Sequence, residues 1–478
     1  MSKHYERISR STHSIQAGII SCNGRSNSFL LFGRFPDENV DGRMLFLKSI
    51  ASNVSSHQDQ KLTSGLLRNF HEYAKKEDLD GKRPPLLLSQ KTSTNLFLSY
   101  HGYKKLGVKQ DLIPDDFYFQ KGMNSSYGNG LHGNYNQDQY LDRRLLPLNR
   151  KRQWDFLICI HNDNIHKLKK EKSNIKNLFD SVFPTKKDND LFVQKTYITR
   201  DKNTNLPLSP LGFVDGISSL KPSDKENFEK IIDWSLIHEK DPNLFYGSYV
   251  VVQKISVNKS FFKSMAVKIS KDLKTTQKHA KALMMGRYQD GQPLVETKDQ
   301  NTKLPSNDFD FINDPKGNLC PFNAHIRAMN NRDKEGSEVP IIRRSLLYND
   351  PPGANREADS GMIFISFQRN IEKTWKEISL RMGIAPNLFE NVDNERSVDH
   401  INYRTKINLK LPAHFDLPAD ENKSFRWSNF RHQKNGKWSN YYSPIGGTNL
   451  TQFRGGEYFF APSLTFFQNM ERYIENAN

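Results

Sequence analysis

The sequence predicts an α+β protein of two related halves, each ferredoxin-like, with antiparallel sheets and peripheral helices. Short apolar runs rich in Val, Ile, Phe and Tyr, bounded by Gly and Asn, alternate with longer stretches of helical spacing. The order strand, helix, strand, strand, helix occurs twice, over residues 13–198 and 245–385. At roughly 150 residues per domain, the 478 residues suit two such units. No identity between the halves is visible, so the duplication rests on pattern alone. We place the N-terminal half at 1–205 and the C-terminal half at 206–478, with an irregular extension at 410–440.

The elements follow in order. HSIQAGIIS (13–21) reads as a strand, CNGRSN as a turn and SFLLFGRF (28–35) as a second strand. Asp41–Ser55 has helical spacing, Thr94–Tyr100 is strand-like, and the Gly, Asn and Tyr-rich stretch Phe117–Gln139 reads as a loop. Arg152–His161 and Leu191–Ile198 look like buried strands, with the basic run His166–Lys172 between them read as loop. Past a polar stretch, Phe245–Gln253 is a strand, Ser260–Met285 a helix, Asp359–Arg369 a central strand and Ile371–Met382 a helix. Arg454–Phe467, with its glycine pair, suggests a turn packed on the core, and Asn469–Asn478 a frayed helical end.

Composition narrows the function classes. With 36% hydrophobic and 11% aromatic residues the chain can fill a core, which excludes disorder for most of it. Cys22, Cys159 and Cys320 are scattered and odd in number, excluding a disulfide framework or a Cys-rich metal site and pointing to a reducing compartment. No apolar leader and no run of apolar residues long enough to span a bilayer is visible, so a cytoplasmic protein without a membrane partner is expected. The 70 Lys and Arg against 53 Asp and Glu leave a charge of +17, but the lysines fall in solvated stretches and no nucleic-acid-binding motif is present, so nucleic acid is disfavoured as a partner.

Three clusters carry candidate chemistry. In Gly212-Phe213-Val214-Asp215-Gly216 a carboxylate sits between glycines that permit a tight turn and close backbone approach, although an ordinary Asp-Gly turn reads the same way. Cys320-Pro321-Phe322-Asn323-Ala324-His325-Ile326-Arg327 sets one histidine at a helix, either as a ligand or as a satisfied core residue. Ile341-Ile342-Arg343-Arg344 carries two arginines, 18 and 19 residues beyond His325, that want an anion or a structural salt bridge.

The order of these clusters resembles the dye-decolourising peroxidases, a family of haem enzymes, and the likeness extends through SIQAGII, FYGSYVVVQKI, MMGRYQDGQPLV, GMIFISFQRNIEKTW and GGEYFFAPSLTFF. The length and the GGEYFFAPS stretch look like the larger, cytoplasmic members. The resemblance implies a fold related to the dimeric α+β barrels and a haem b cofactor. It implies oxidation of phenolic or dye-like small aromatic electron donors by hydrogen peroxide through a ferryl intermediate. A haem-handling or haem-sensing protein is the alternative, and a homo-oligomer is left open.

By the same resemblance His325 is the proximal iron ligand, Asp215 the acid–base catalyst and Arg343 the distal cation, with Arg344 as fallback. Gly216, Ile217 and Ser218 would lie along the haem edge, Arg327 would pair with a propionate, and Phe364 and Phe367 would line the pocket. Glu390, Asp393 and Glu395 are candidate partners for the far nitrogen of His325, and the five tryptophans are candidate electron relays. Ser345-Leu346-Leu347-Tyr348-Asn349 departs from the Gly-Ile-Pro-Tyr-Gly often found in the family, which implies a reshaped access channel.

Overall fold

The computed structural model describes residues 12–36, 40–63, 91–123, 153–186, 190–217, 219–237, 246–295, much of 309–329, 339–352, 358–376, 378, short strands within 425–440, and 450–474. In the N-terminal half, β1 (Asn27–Gly33) leads to α1 (Val40–Ala51), then β2 (Ser93–Leu98), the short helices α2 (Tyr100–Lys105) and α3 (Phe117–Lys121), and β3 (Phe156–Asn162). Helix α4 (Ile165–Val182) and β4 (Leu191–Tyr197) complete it. The strands lie in the order β2-β3-β1-β4, all antiparallel, with Leu30 opposite Cys159 on one side and Gln194 on the other. Asn164 caps α4 by accepting from the His166 and Lys167 N–H groups, and Leu168, Ile175 and Phe179 form its buried stripe.

The C-terminal half begins with α5 (Lys225–Ser235) and β5 (Ser248–Val257), followed by α6 (Lys259–Asp272), α7 (Gln277–Met285) and the single-turn α8 (His325–Met329). Strands β6 (Ile342–Arg343), β7 (Leu346–Asp350) and β8 (Asp359–Gln368) come next. Three short strands follow, β9 (Phe425–Arg426), β10 (Arg431–Lys434) and β11 (Lys437–Asn440), then β12 (Thr451–Ala461) and α9 (Leu464–Gln468). Pairs Ile342↔Phe367, Arg343↔Ser366 and Leu346↔Ile363 keep one register, so β6 and β7 form a single edge along β8. The order β12-β5-β8-β7 repeats the N-terminal order of fourth, first, third, second strand.

Two seams join the halves, Tyr197↔Leu347 between β4 and β7 and Phe460↔Leu98 between β12 and β2. Because β8 also pairs with β5, eight strands close into a barrel-like ring. Alternate residues point inward, among them Leu30, Phe32, Cys159, Val250, Ile363 and Phe459, and fill the interior. Toward one end the interior turns polar: buried Lys254 donates to Gln194 Oε1 at 2.9 Å and to Asp350 Oδ2 at 2.5 Å.

Several elements depart from expectation for identifiable reasons. Residues 13–21 form turns rather than a strand: Gln16 donates to the Leu96 and Pro462 carbonyls and accepts from the Leu96 N–H, so one side chain replaces ladder bonds. The apolar character of that segment comes from burial of Ile15, Ile19 and Ile20 against the barrel interior. Arg454–Phe467 is not a turn, because β12 runs between β5 and β2 and its glycine pair marks a register shift after Phe453. The helix expected over Ser260–Met285 breaks at Lys274 (φ 50°), and Thr276 caps the second piece.

The basic run His166–Lys172 lies inside α4 with Lys169 and Lys170 exposed, so its charge marked a helix face rather than a loop. Asp116 caps a helix at Phe117–Lys121 within the expected loop, which beyond Met123 lies outside the described residues. The polar stretch before β5 holds the amphipathic α5, capped by Asp224. Strands β9 to β11 form a small antiparallel sheet within the expected irregular extension at 410–440, and Asn-Gly, the strongest short hairpin signal, separates Lys434 from its partner Lys437.

Candidate active site

The loop carrying Asp215 is fixed by its own backbone. Ser209 N–H donates to the Phe213 carbonyl, Val214 N–H to Gln289, and Asp215 N–H to Pro207 at 2.7 Å. Gly212 and Gly216, at φ 78° and 80°, supply the left-handed turns on either side, a region that side chains with a Cβ rarely enter. The loop packs through Phe213 onto Phe262, joining it to the α6–α7 pair. Asp215 is thereby presented to a cavity of about 380 Å³ on the outer face of the C-terminal sheet.

The arginine pair divides between two faces. Neighbours on a strand point to opposite sides, so Arg343 faces outward and Arg344 toward the mouth of the barrel. Arg343 Nη2 donates to Asp215 Oδ1 at 2.7 Å, forming an ion pair. Arg344 borders the same cavity, but its guanidinium donates to the carbonyls of Gly18, Ile19 and Ile20 at 2.7, 3.1 and 3.2 Å. One arginine holds a carboxylate; the other pins the N-terminal segment.

Burial by itself would raise the Asp215 pKa. The charge of Arg343, the Gly216 N–H at 2.7 Å and the nearby charge of Arg287 outweigh it and hold the carboxyl below its ordinary value. Asp215 is thus ionised near neutrality, a proton acceptor with a cation at its side.

His325 opens α8, is half-buried and lines the cavity. Around it the wall is apolar, with Phe213, Ile255, Met362, Phe364 and Trp375 contributing. An imidazole, apolar walls and the three guanidinium side chains of Arg287, Arg343 and Arg344 match a flat apolar macrocycle that bears anionic substituents and an iron atom. The residues present therefore fit a haem.

Of the other residues read from the sequence, Phe364 lines the cavity and its ring lies 5.1 Å from Trp375, whereas Phe367 does not. Three positions apart on a strand, the two must face opposite ways, and Phe367 packs inside the barrel 5.8 Å from Phe97. Arg327 cannot meet a propionate, being 1% exposed and bonded to Asp314. Gly216 shapes the Asp215 turn, while Ser219 and Leu220 rather than Ile217 reach the cavity wall. Ser218, Glu390, Asp393 and Glu395 lie outside the described residues. Trp234 also lines the cavity, whereas Trp154 is buried in the barrel core under Arg34. Sequence reasoning missed Arg287 as a site residue, although it lies at the end of α7 within MMGRYQDGQPLV, one of the stretches that carry the resemblance.

The fold and this cavity define a class: a closed α+β barrel of two ferredoxin-like halves with an acid–guanidinium pair and an imidazole on one pocket. Residues 207–388 match the profile of the family described as Dyp-type peroxidase, C-terminal. The chain is 27% identical over 261 residues to a multifunctional dye peroxidase, DyP2, of an Amycolatopsis species, a match spanning 48% of this chain and 50% of that one. It is 23% identical over 188 residues to the deferrochelatase of Escherichia coli, covering 39% and 40%. The chain thus spans about half or less of the length of the curated relatives it matches. The solved DyP-type peroxidase of an Anabaena species superposes with a TM-score of 0.70 at 22% identity, covering 97% of this chain and 95% of that one. The solved Amycolatopsis DyP2 gives 0.67 at 19% identity, covering 96% of each. Residues 207–388 accordingly match the C-terminal model of the Dyp-type peroxidases, and the chain has the fold of the solved DyP-type peroxidases.

Proposed function

We propose that the protein is a haem-dependent peroxidase of the dye-decolourising type, taking hydrogen peroxide and a small aromatic donor. The observation that carries this reading is the Asp215–Arg343 ion pair at 2.7 Å on the cavity that His325 also lines. The iron of a bound haem supplies the two-electron reduction of peroxide and stores the oxidising equivalents. Asp215, ionised and aimed into the cavity, takes the proton from one oxygen of hydrogen peroxide and returns it to the other, which leaves as water. Arg343, a permanent cation, holds Asp215 in place and offsets the negative charge that develops as the O–O bond breaks. His325 would hold the iron through an imidazole nitrogen.

Gly216 would border the haem edge through the Asp215 turn. With Arg343 held by Asp215 and Arg344 by the carbonyls of Gly18, Ile19 and Ile20, Arg287 is the wall cation that would meet a propionate, and Phe364 would offer an apolar wall to the macrocycle. We divide the chain at residues 205/206 into the two halves, since β1 to β4 precede that point and β5 to β12 follow it. We place the protein in the cytoplasm on its three free cysteines, two of them buried. No helix among the described residues is long and apolar enough to cross a membrane.

The test is the absorption spectrum of the haem-loaded protein before and after one equivalent of hydrogen peroxide. A spectrum that changes on peroxide and recovers on a phenolic donor supports turnover. Haem handling is favoured instead by the likeness to a protein named deferrochelatase. That reading gains if peroxide merely bleaches the haem, and absence of haem uptake overturns both.

A further inference from the structure

We propose that Arg327 and Asp314 are positioning residues for His325, forming a buried clamp that sets where the α8 imidazole enters the cavity; this deepens the haem reading above and rests on it. Two residues apart on a helix, side chains diverge by roughly 200°. His325 can therefore face the cavity while Arg327 turns into the protein.

Arg327 is held from three sides. Its Nη1 donates to Asp314 Oδ2 at 2.9 Å and to the Cys320 carbonyl at 2.7 Å, and its Nη2 donates to the Asp314 carbonyl at 2.8 Å. The guanidinium carbon lies 4.4 Å from the centre of the Phe311 ring. The Asp314 carboxylate also accepts the N–H groups of Leu319 and Cys320 at 3.1 and 2.9 Å, tying the approach to α8 onto the same anion. Both side chains are nearly inaccessible, at 1% and 3% exposure. A buried ion pair is a poor source of net stability compared with apolar residues of the same volume. A planar guanidinium fixed at several points instead sets geometry well.

The same small core reaches the other catalytic side chain. Phe309 lies 6.3 Å from Phe311, ring to ring, and carries Arg287 on its face at 4.6 Å. Arg287 is the second cation lowering the Asp215 pKa. A Cβ on Gly286, beside it, would approach Ile326 Cβ to 3.2 Å, so the end of α7 abuts α8 directly.

The experiment loads Arg327→Met and Asp314→Asn with haem b and records the iron–imidazole stretch of the ferrous protein by resonance Raman, together with haem loss to a scavenger protein. The expected result is a shifted or broadened band and haem loss about tenfold to a hundredfold faster, the range for removing groups that orient a metal ligand. Phe179→Leu, a destabilising change in the other half, should leave the band in place. Wild-type bands and wild-type haem loss in both clamp variants overturn the proposal. If either variant fails to fold, Arg327→Lys and Asp314→Glu, which keep charge but alter the fork, are read by the same criterion. A band lost in His325→Ala but unmoved by the clamp variants removes this inference alone. A wild-type protein without an iron–imidazole band removes the haem assignment with it, and a band that survives His325→Ala removes His325 as the ligand.

Discussion

The two halves share one strand order, yet they use the outer faces of their sheets differently. In the N-terminal half α1 and α4 lie against the sheet, and Phe46, Phe156, Phe179 and Phe183 close the space between, with Phe46 5.3 Å from Phe156 and 5.4 Å from Phe179. In the C-terminal half only one end of that face is filled, by Tyr249, Val251, Tyr458 and Phe460. At the other end α6 and α7 form a separate cluster with Phe213, leaving Ile255, Val257, Met362 and Phe364 to wall the cavity. The comparison teaches that the fold supplies two equivalent platforms, and that loop placement decides which becomes a pocket. Asp215 and His325 come from connections around the C-terminal sheet, and Arg343 from its edge.

If the division is real, changes in the pocket should alter chemistry with little effect on folding, and changes in the packed half should do the reverse. The largest effect is expected for Asp215→Asn, which keeps the shape but removes the proton acceptor. The rate of reaction with hydrogen peroxide, followed by stopped flow on the haem-loaded protein, should fall by about 10² to 10⁴, the usual worth of general acid–base catalysis. The thermal midpoint should stay close to wild type. A variant that reacts at the wild-type rate would remove Asp215 from the mechanism.

The opposite case is Phe179→Ala. Phe179 is fully buried in an aromatic cluster, so its truncation should cost about 3–5 kcal/mol in chemical denaturation. Haem uptake and the peroxide rate of the folded fraction should not change. Loss of activity in parallel with stability would show that the halves are coupled more tightly than their separate packing implies.

The adjacent arginines give a sharper version of the same contrast. Arg344→Ala removes three bonds to the carbonyls of Gly18, Ile19 and Ile20, and should lower stability by about 2–3 kcal/mol, as for hydrogen bonds to a charged group. Arg343→Ala, on a half-exposed side chain, should cost less stability and more rate. Denaturation and stopped-flow measurements on both variants check the ranking, and a reversed order would exchange the two roles.

Much of this was legible before any coordinates. Short, near-continuous apolar runs placed β1, β2, β3, β5 and β8, because strands covered on both faces carry hydrophobic side chains at successive positions. The candidate triad of Asp215, His325 and Arg343 was legible through motif order and resemblance, since no local spacing marks any of the three as chemical. What escaped was set by tertiary context. The segment around Gln16 looks like a strand because it is buried, but its backbone bonds to Ser55 and His57, and it meets β2 through the Gln16 side chain at Leu96. Phe367 and Arg327 were misplaced although strand alternation and helical rotation already separated them from Phe364 and His325. Arg287, though within a resembling stretch, and Asp314 were not marked as site residues, because their roles come from tertiary neighbours, Asp215 and Arg327.

The smallest effect expected is also the most specific, a pH displacement in Arg343→Leu. In the wild type the Asp215 carboxyl sits below its ordinary pKa, against the pull of burial and chiefly because of Arg343. The proton-accepting form therefore survives into acid. Without the guanidinium, burial acts with less opposition, the pKa rises, and the acid limb of the peroxide reaction should move to higher pH. Stability follows the same sign. A depressed carboxyl pKa contributes stability above the unfolded value, and that contribution is lost as pH falls through the folded one. The difference in stability between wild type and Arg343→Leu should accordingly be largest near neutrality and shrink toward acid. An acid limb that stays in place in Arg343→Leu would mean that Arg343 does not govern the Asp215 charge. The C-terminal pocket would then owe its ionisation to Arg287 and the Gly216 N–H, the remaining groups that lower it.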